Sequence, residues 1–142
     1  MPKLEYFLVA ESIAIDRMTN HVSVFNIVEE LRIPATGDAQ IVAMQPSMVA
    51  LALLRTEPGD EQIDWQALLT ITSPGGKTTP ATLNFKIKPG DKRHRLFVRL
   101  TGYPLESPGD LKFDLQLNGQ HLAEHIITVI LEGAEGAQKQ SD

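Results

Sequence analysis

Leu111-Lys-Phe-Asp-Leu-Gln-Leu117, Asn118-Gly119, Gln120-His-Leu-Ala-Glu-His-Ile-Ile-Thr-Val-Ile-Leu131 is the stretch whose reading decides the fold. Two apolar runs joined by Asn-Gly predict a hairpin, because both central residues of a type I′ turn need positive φ. The second run also contains His121-Leu-Ala-Glu-His125, the H-x-x-E-H pattern of one zinc-peptidase class, which requires a helix so that two His share a face and a metal. In a strand the same residues stand about 13 Å apart, at about 3.3 Å per residue, and cannot share an ion. The turn before this segment and the β-branched residues after it favour the strand. No metal or other cofactor is therefore expected. A two-residue loop pairs Leu115 with Leu122 and Leu111 with Ile126, but it sets Glu124 against Phe113 on the inner face. A β-bulge is predicted within residues 123 to 125, turning Ile127, Val129 and Leu131 inward and Thr128 outward.

Alternation of the same kind runs through the rest of the chain. Phe7, Val9, Glu11, Ile13 and Ile15 share one phase, and Val22, Val24, Asn26 and Val28 share another. If residues 17–20 form the loop, Ile15 pairs with Val22, Ile13 with Val24, Glu11 with Asn26 and Val9 with Val28. Glu11 and Asn26 then form a polar pair on an apolar face. A lone buried polar group there costs on the order of 1–3 kcal/mol, so the pair either fixes register in the core or lines a ligand pocket. Residues 29–45 lose the pattern. Met48-Val-Ala-Leu-Ala-Leu-Leu-Arg55 reads as a strand buried on both faces, with a short helix as the alternative, and Thr56-Glu-Pro-Gly-Asp60 as a turn. Trp65, Ala67, Leu69 and Ile71 alternate again, with the single Trp as a core anchor.

Leu83, Phe85 and Ile87, then Pro89-Gly-Asp-Lys92, then His94, Leu96, Val98 and Leu100 predict a further hairpin. Its register pairs Phe85 with Leu96 and Leu83 with Val98 inside, and Lys86 with Arg95 and Lys88 with Arg93 outside. Like charges directly opposite are destabilising. Seven of the thirteen Lys and Arg lie between Lys77 and Arg99, with Asp91 the only acid, so this segment carries +6 against −11 elsewhere. Exposed cations of this kind usually serve solubility. As a candidate site, Lys86, Lys88, Arg93, Arg95 and Arg99 would bind an acidic protein partner that relieves the repulsion.

A chain of 142 residues with 42% hydrophobic residues and net charge −5 suits one domain and argues against a general nucleic-acid binder. There are no cysteines, which excludes disulfides and thiolate metal sites. The apolar run near the start, four residues before Glu11, is too short for a signal or membrane segment, which points to a cytoplasmic protein with no membrane partner. The tail 133–142 is small, polar and expected to be disordered. No phosphate loop, nucleophile elbow or close carboxylate set occurs, so enzymatic activity is not expected.

The runs Leu4-Glu-Tyr-Phe-Leu-Val-Ala-Glu-Ser12, Val22-Ser-Val-Phe-Asn-Ile-Val-Glu29, Arg55-Thr-Glu-Pro-Gly-Asp60, Arg93-His-Arg95 and Pro108-Gly-Asp-Leu-Lys-Phe113 resemble a family of small bacterial proteins of unknown function. The resemblance implies a compact β-sandwich in a bacterial cytoplasm and brings no catalytic residue. With turn signals every 8–12 residues, the expectation is an all-β, single-domain antiparallel β-sandwich of immunoglobulin-like type, residues 1–132, with seven or eight strands. Such a module would act in protein interactions, or pair with itself through an edge strand. The rival is a small-ligand binder or enzyme with a pocket near Glu11, Asn26 and one or more histidines.

Overall fold

The computed structural model describes residues 1–34 and 47–132. Among these, nine strands lie in order: β1 Lys3–Ile15, β2 Val22–Ile27, β3 Glu30–Pro34, β4 Met48–Arg55, β5 Trp65–Thr72, β6 Thr78–Phe85, β7 Arg93–Leu100, β8 Gly109–Leu117 and β9 Gln120–Glu132. One sheet has the order β2-β1-β4-β7 and the other β3-β9-β8-β5-β6. Every neighbouring pair is antiparallel except β3 with β9, which is parallel. The tail 133–142, expected to be disordered, lies outside the described residues.

Alternation explains the core. Val9, Ala50, Leu69, Ile71, Leu111, Phe113, Ile127 and Val129 fill one half of the space between the sheets, and Ala52, Leu54, Trp65, Ala67, Leu96, Leu115 and Leu117 the other. Each large side chain buried here contributes about 1.5–3 kcal/mol. Met48–Arg55 is a strand and not a helix, central in its sheet, with residues buried on both faces. Trp65 is a core anchor, and its indole N–H donates to the Asp60 carbonyl at 2.9 Å.

The deciding stretch is the β8–β9 hairpin. Asn118 and Gly119 have φ of 45° and 82°, the left-handed values a type I′ turn demands. The bulge sits one step earlier than predicted. Leu115 pairs with Ala123 and Gln116 with His121, which leaves Leu122 as the extra residue, and Leu111 pairs with Ile127. Inserting the residue there sends Leu122 against the core and keeps Glu124 exposed. Ile127 and Val129 point inward and Thr128 outward as expected, but Leu131 remains 38% exposed at the strand's end.

Three further expectations need correction. The blurred segment after residue 29 supplies β3, an edge strand beside β9. Residues 83–85 and 93–100 do not pair: β6 bonds to β5 in one sheet and β7 to β4 in the other. The connection between them therefore crosses the sandwich, and Phe85 meets His94 by ring stacking, at 4.3 Å between centroids, instead of across a ladder. Finally, the β1–β2 register holds at Ile13–Val24 and Ile15–Val22, but the ribbon leaves the core. Val9 lies between the sheets. Ile13, of the same phase, packs with Val49, Leu51, Val22 and Val24 on the outer face of β4.

Candidate functional site

Glu11 and Asn26 stand at the point where that ribbon changes face. The Asn26 amide donates to the Glu11 carboxylate at 3.0 Å, as the register predicts. Both side chains are exposed, so the pair is not in the core, and neither lines any of three well-formed clefts among the described residues. Asn26 has φ 56°, a left-handed conformation that Asn tolerates better than most residues. That rotation falls between Val24, which packs with Ile13 on the outer face of β4, and Val28, which packs with Val9 in the core.

The cations predicted to face one another are each engaged elsewhere or apart. Lys86 pairs with Asp64 at 3.1 Å, both well exposed. Arg93 takes Glu5 through Nε and a terminal nitrogen at 3.0 Å each, which offsets its position directly across from Arg55. Arg95 donates to the side-chain and main-chain oxygens of Asn20 in the β1–β2 loop, at 3.4 and 3.0 Å. Its Nε is buried and has no partner among the described residues. Lys88 is exposed in the β6–β7 connection. Lys86 and Lys88 lie past the end of β6 and are not the cross-strand partners expected for Arg95 and Arg93, because β6 and β7 belong to different sheets.

Arg99 is the predicted residue that reaches a concave site. Its guanidinium lies 5.7 Å from the Phe97 ring centroid, and it borders a cleft of about 500 Å³ at one end of the sandwich. One wall is the β5–β6 turn with Ser73, Pro74 and Lys77; the other is the β7–β8 connection with Tyr103, Glu106 and Ser107. Each wall is fixed by its backbone. The turn is closed by Gly76 N–H to Ser73 O at 2.9 Å and by Lys77 N–H to Ser73 Oγ at 3.0 Å. Leu105 is fully buried and anchors the second wall in the core. Tyr103 packs on that core, and burial raises its pKa above the ordinary value. Among the described residues, no carboxylate lies within 4 Å of Lys77 or Arg99. The cleft thus offers two cations in no ion pair and several hydroxyls beside the single carboxylate of Glu106, a donor set suited to a carboxylate or phosphate. Lys77 was legible only as the first cation of the basic segment, and Tyr103 carried no signal beyond an irregular connection.

The histidines of the H-x-x-E-H pattern lie on a strand and serve separate partners. His121 Nδ1 is 2.8 Å from Asp114 Oδ1, and His125 Nε2 is 2.7 Å from the Val28 carbonyl. Lys112 lies 3.9 Å from Glu124; together with His121 it faces the Asp114–Glu124 cross-strand pair.

Two packed sheets with this strand order make the chain an all-β, immunoglobulin-like sandwich. Among solved structures, it is similar to an immunoglobulin-like protein from Pseudomonas aeruginosa seen in a crystal structure at 1.50 Å resolution. The TM-score is 0.41 and the identity 14%, over 91% of this chain and 96% of that one. No protein-family model and no curated protein matches the chain.

Proposed function

We propose that this sandwich is a non-enzymatic interaction module that holds an acidic group of a partner protein in the cleft beside Arg99. The observation that carries this reading is the meeting of Lys77, from the β5–β6 turn, and Arg99, from β7, at one cavity with no carboxylate paired to either among the described residues. Charge left unpaired beside a pocket costs little while solvated and becomes useful when an anion arrives. The segment's positive charge thus keeps the role expected of it, but acts through the cleft instead of a paired hairpin. Glu11 and Asn26 are exposed and lie outside this cleft, so they take no part in the reading.

The test is a titration of isotopically labelled protein with a Glu-rich peptide, followed by NMR. Resonances of Lys77, Arg99 and Tyr103 shift together, and the affinity falls severalfold between about 50 and 300 mM salt, as screening requires. Reversal of both cations, K77E with R99E, abolishes the shifts while the fold is retained. Unchanged binding by the double variant overturns the proposal.

A further inference from the structure

We infer that β7 is a docking edge, and that an extended segment of an acidic partner adds to it as a new strand with the pattern acid-x-apolar-x-acid. This deepens the reading above and rests on it only for the partner's charge.

The argument begins with the hydrogen-bond phase. β7 is the last strand of its sheet. The Thr56 N–H donates to the Lys92 carbonyl at 3.0 Å, which continues the β4–β7 register one step beyond the Arg55–Arg93 pair. Lys92 therefore turns its backbone toward β4. Backbone direction alternates along an antiparallel strand, and no residue from 92 to 100 has a positive φ that would break the alternation. His94, Leu96, Val98 and Leu100 thus bond to β4, while Arg93, Arg95, Phe97 and Arg99 aim their N–H and C=O groups away from the sheet. Among the described residues, no backbone bond takes up those outward groups. A row of this kind is a template for an added strand.

Side chains specify what that strand carries. The same four residues share the outer face, because Leu96, Val98 and Leu100 pack in the interior. Arg93 is neutralised by Glu5. Arg95 has only the neutral Asn20 as partner, Phe97 is 41% exposed, and Arg99 lies near its ring. Residues directly opposite on neighbouring strands share a face and interact. The positions facing Arg95 and Arg99 therefore select Asp or Glu, and the position facing Phe97 selects an apolar or aromatic residue. Arg99 also borders the cleft, so a segment leaving this edge runs directly into the Lys77 site.

The same register argues against a second copy of the chain. Two β7 edges paired antiparallel about Phe97 would set Arg95 against Arg99 twice, a repulsion that the acidic segment replaces with attraction.

The experiment uses the full chain and the peptide Thr-Glu-Thr-Val-Thr-Glu-Thr, with amide exchange read by NMR. Binding slows exchange at Arg95, Phe97 and Arg99 by about tenfold or more, while Leu96 and Val98, already bonded to β4, do not change. Two N-methylated versions of the peptide, blocked at alternate amides in opposite phase, separate backbone pairing from charge attraction. One phase abolishes binding and the other retains it. Equal binding by both, or equal binding by a peptide with Gln for Glu, overturns the inference. Shifts at Lys77 and Tyr103 without protection along β7 also overturn it and leave the cleft reading intact, whereas silence at both sites removes both. Protection of β7 that rises with protein concentration, without peptide, would mean self-pairing and would equally refute it.

Discussion

His94 shows how one side chain ties stability to pH. Its ring lies against Phe85, and burial lowers its pKa below the ordinary 6.5, only partly opposed by Asp91. The unfolded chain therefore binds this proton more readily than the folded one, so stability rises with pH across the window. The contribution is complete above about pH 6.5 and declines as the pH falls toward the lower folded value. In H94F, which keeps an aromatic partner for Phe85, urea unfolding between about pH 7 and 5.5 has a weaker pH dependence than in the parent. An equal slope would sink this account. Asn118 has two roles at the same scale. Its left-handed φ was legible, because Asn-Gly between apolar runs has few other uses. Its docking was not: the side chain accepts from Gln66 N–H at 2.7 Å and donates to the Asp64 carbonyl at 3.4 Å, partners more than fifty residues earlier. N118G retains the turn and loses those bonds, which lowers stability by about 1 kcal/mol in chemical denaturation.

The β1–β2 ribbon is the element whose registration was readable and whose destination was not. Alternation and loop length specified Ile13–Val24, Ile15–Val22 and the Glu11–Asn26 bond. Alternation also implies that residues of one phase share one face, and the left-handed backbone at Asn26 lies where β2 departs from that rule, between Val24 and Val28. Asn26→Ala is expected to cost about 1–2 kcal/mol, because a Cβ-bearing residue without a compensating side chain resists this φ. Asn26→Gly, which loses the same bond to Glu11 but accepts the φ, costs less; the ordering of the two in urea denaturation tests whether conformation or the hydrogen bond matters more. Ile13→Ala probes the packed side of the ribbon, where Val49 and Leu51 are almost fully covered. It should destabilise by about 2 kcal/mol or more and increase proteolysis in the 16–21 loop.

For the whole molecule, the two-sheet architecture followed from period-two patterning and evenly spaced turns, whereas the pairing of sheets did not. Residues 83–87 and 93–100 have every local mark of a hairpin: matched apolar phases and a Pro-Gly-Asp turn. What local sequence cannot contain is competition from better partners. Trp65–Thr72 offers β6 a full ladder from Trp65–Phe85 to Thr72–Thr78, and Met48–Arg55 does the same for β7. The site inherits this difference. A cleft made from one turn in each half of the sandwich is invisible to spacing, and only Arg99 among the residues singled out by charge contributes to it. Near the cleft, Gly109 has φ 128°, and a Cβ there would lie 3.1 Å from the Pro74 Cβ. G109A should therefore lower stability by about 1–3 kcal/mol and weaken acidic-peptide binding, since Pro74 forms part of the cleft wall. Unchanged thermal unfolding would show that the wall can yield.

The parallel contact of β3 with β9 has a consequence for how the chain is made. Arg32 and its ion-pair partner Glu132 are a hundred residues apart, so on a ribosome β3 emerges several seconds before the strand it needs, at roughly 5–20 residues per second. Throughout that interval its edge is open, and nothing local can close it. Emergence of β9 is thus the step that joins β3 to β8, and a nascent chain stalled before residue 120 would leave unpaired the sides of β3 and β8 that β9 covers in the folded protein.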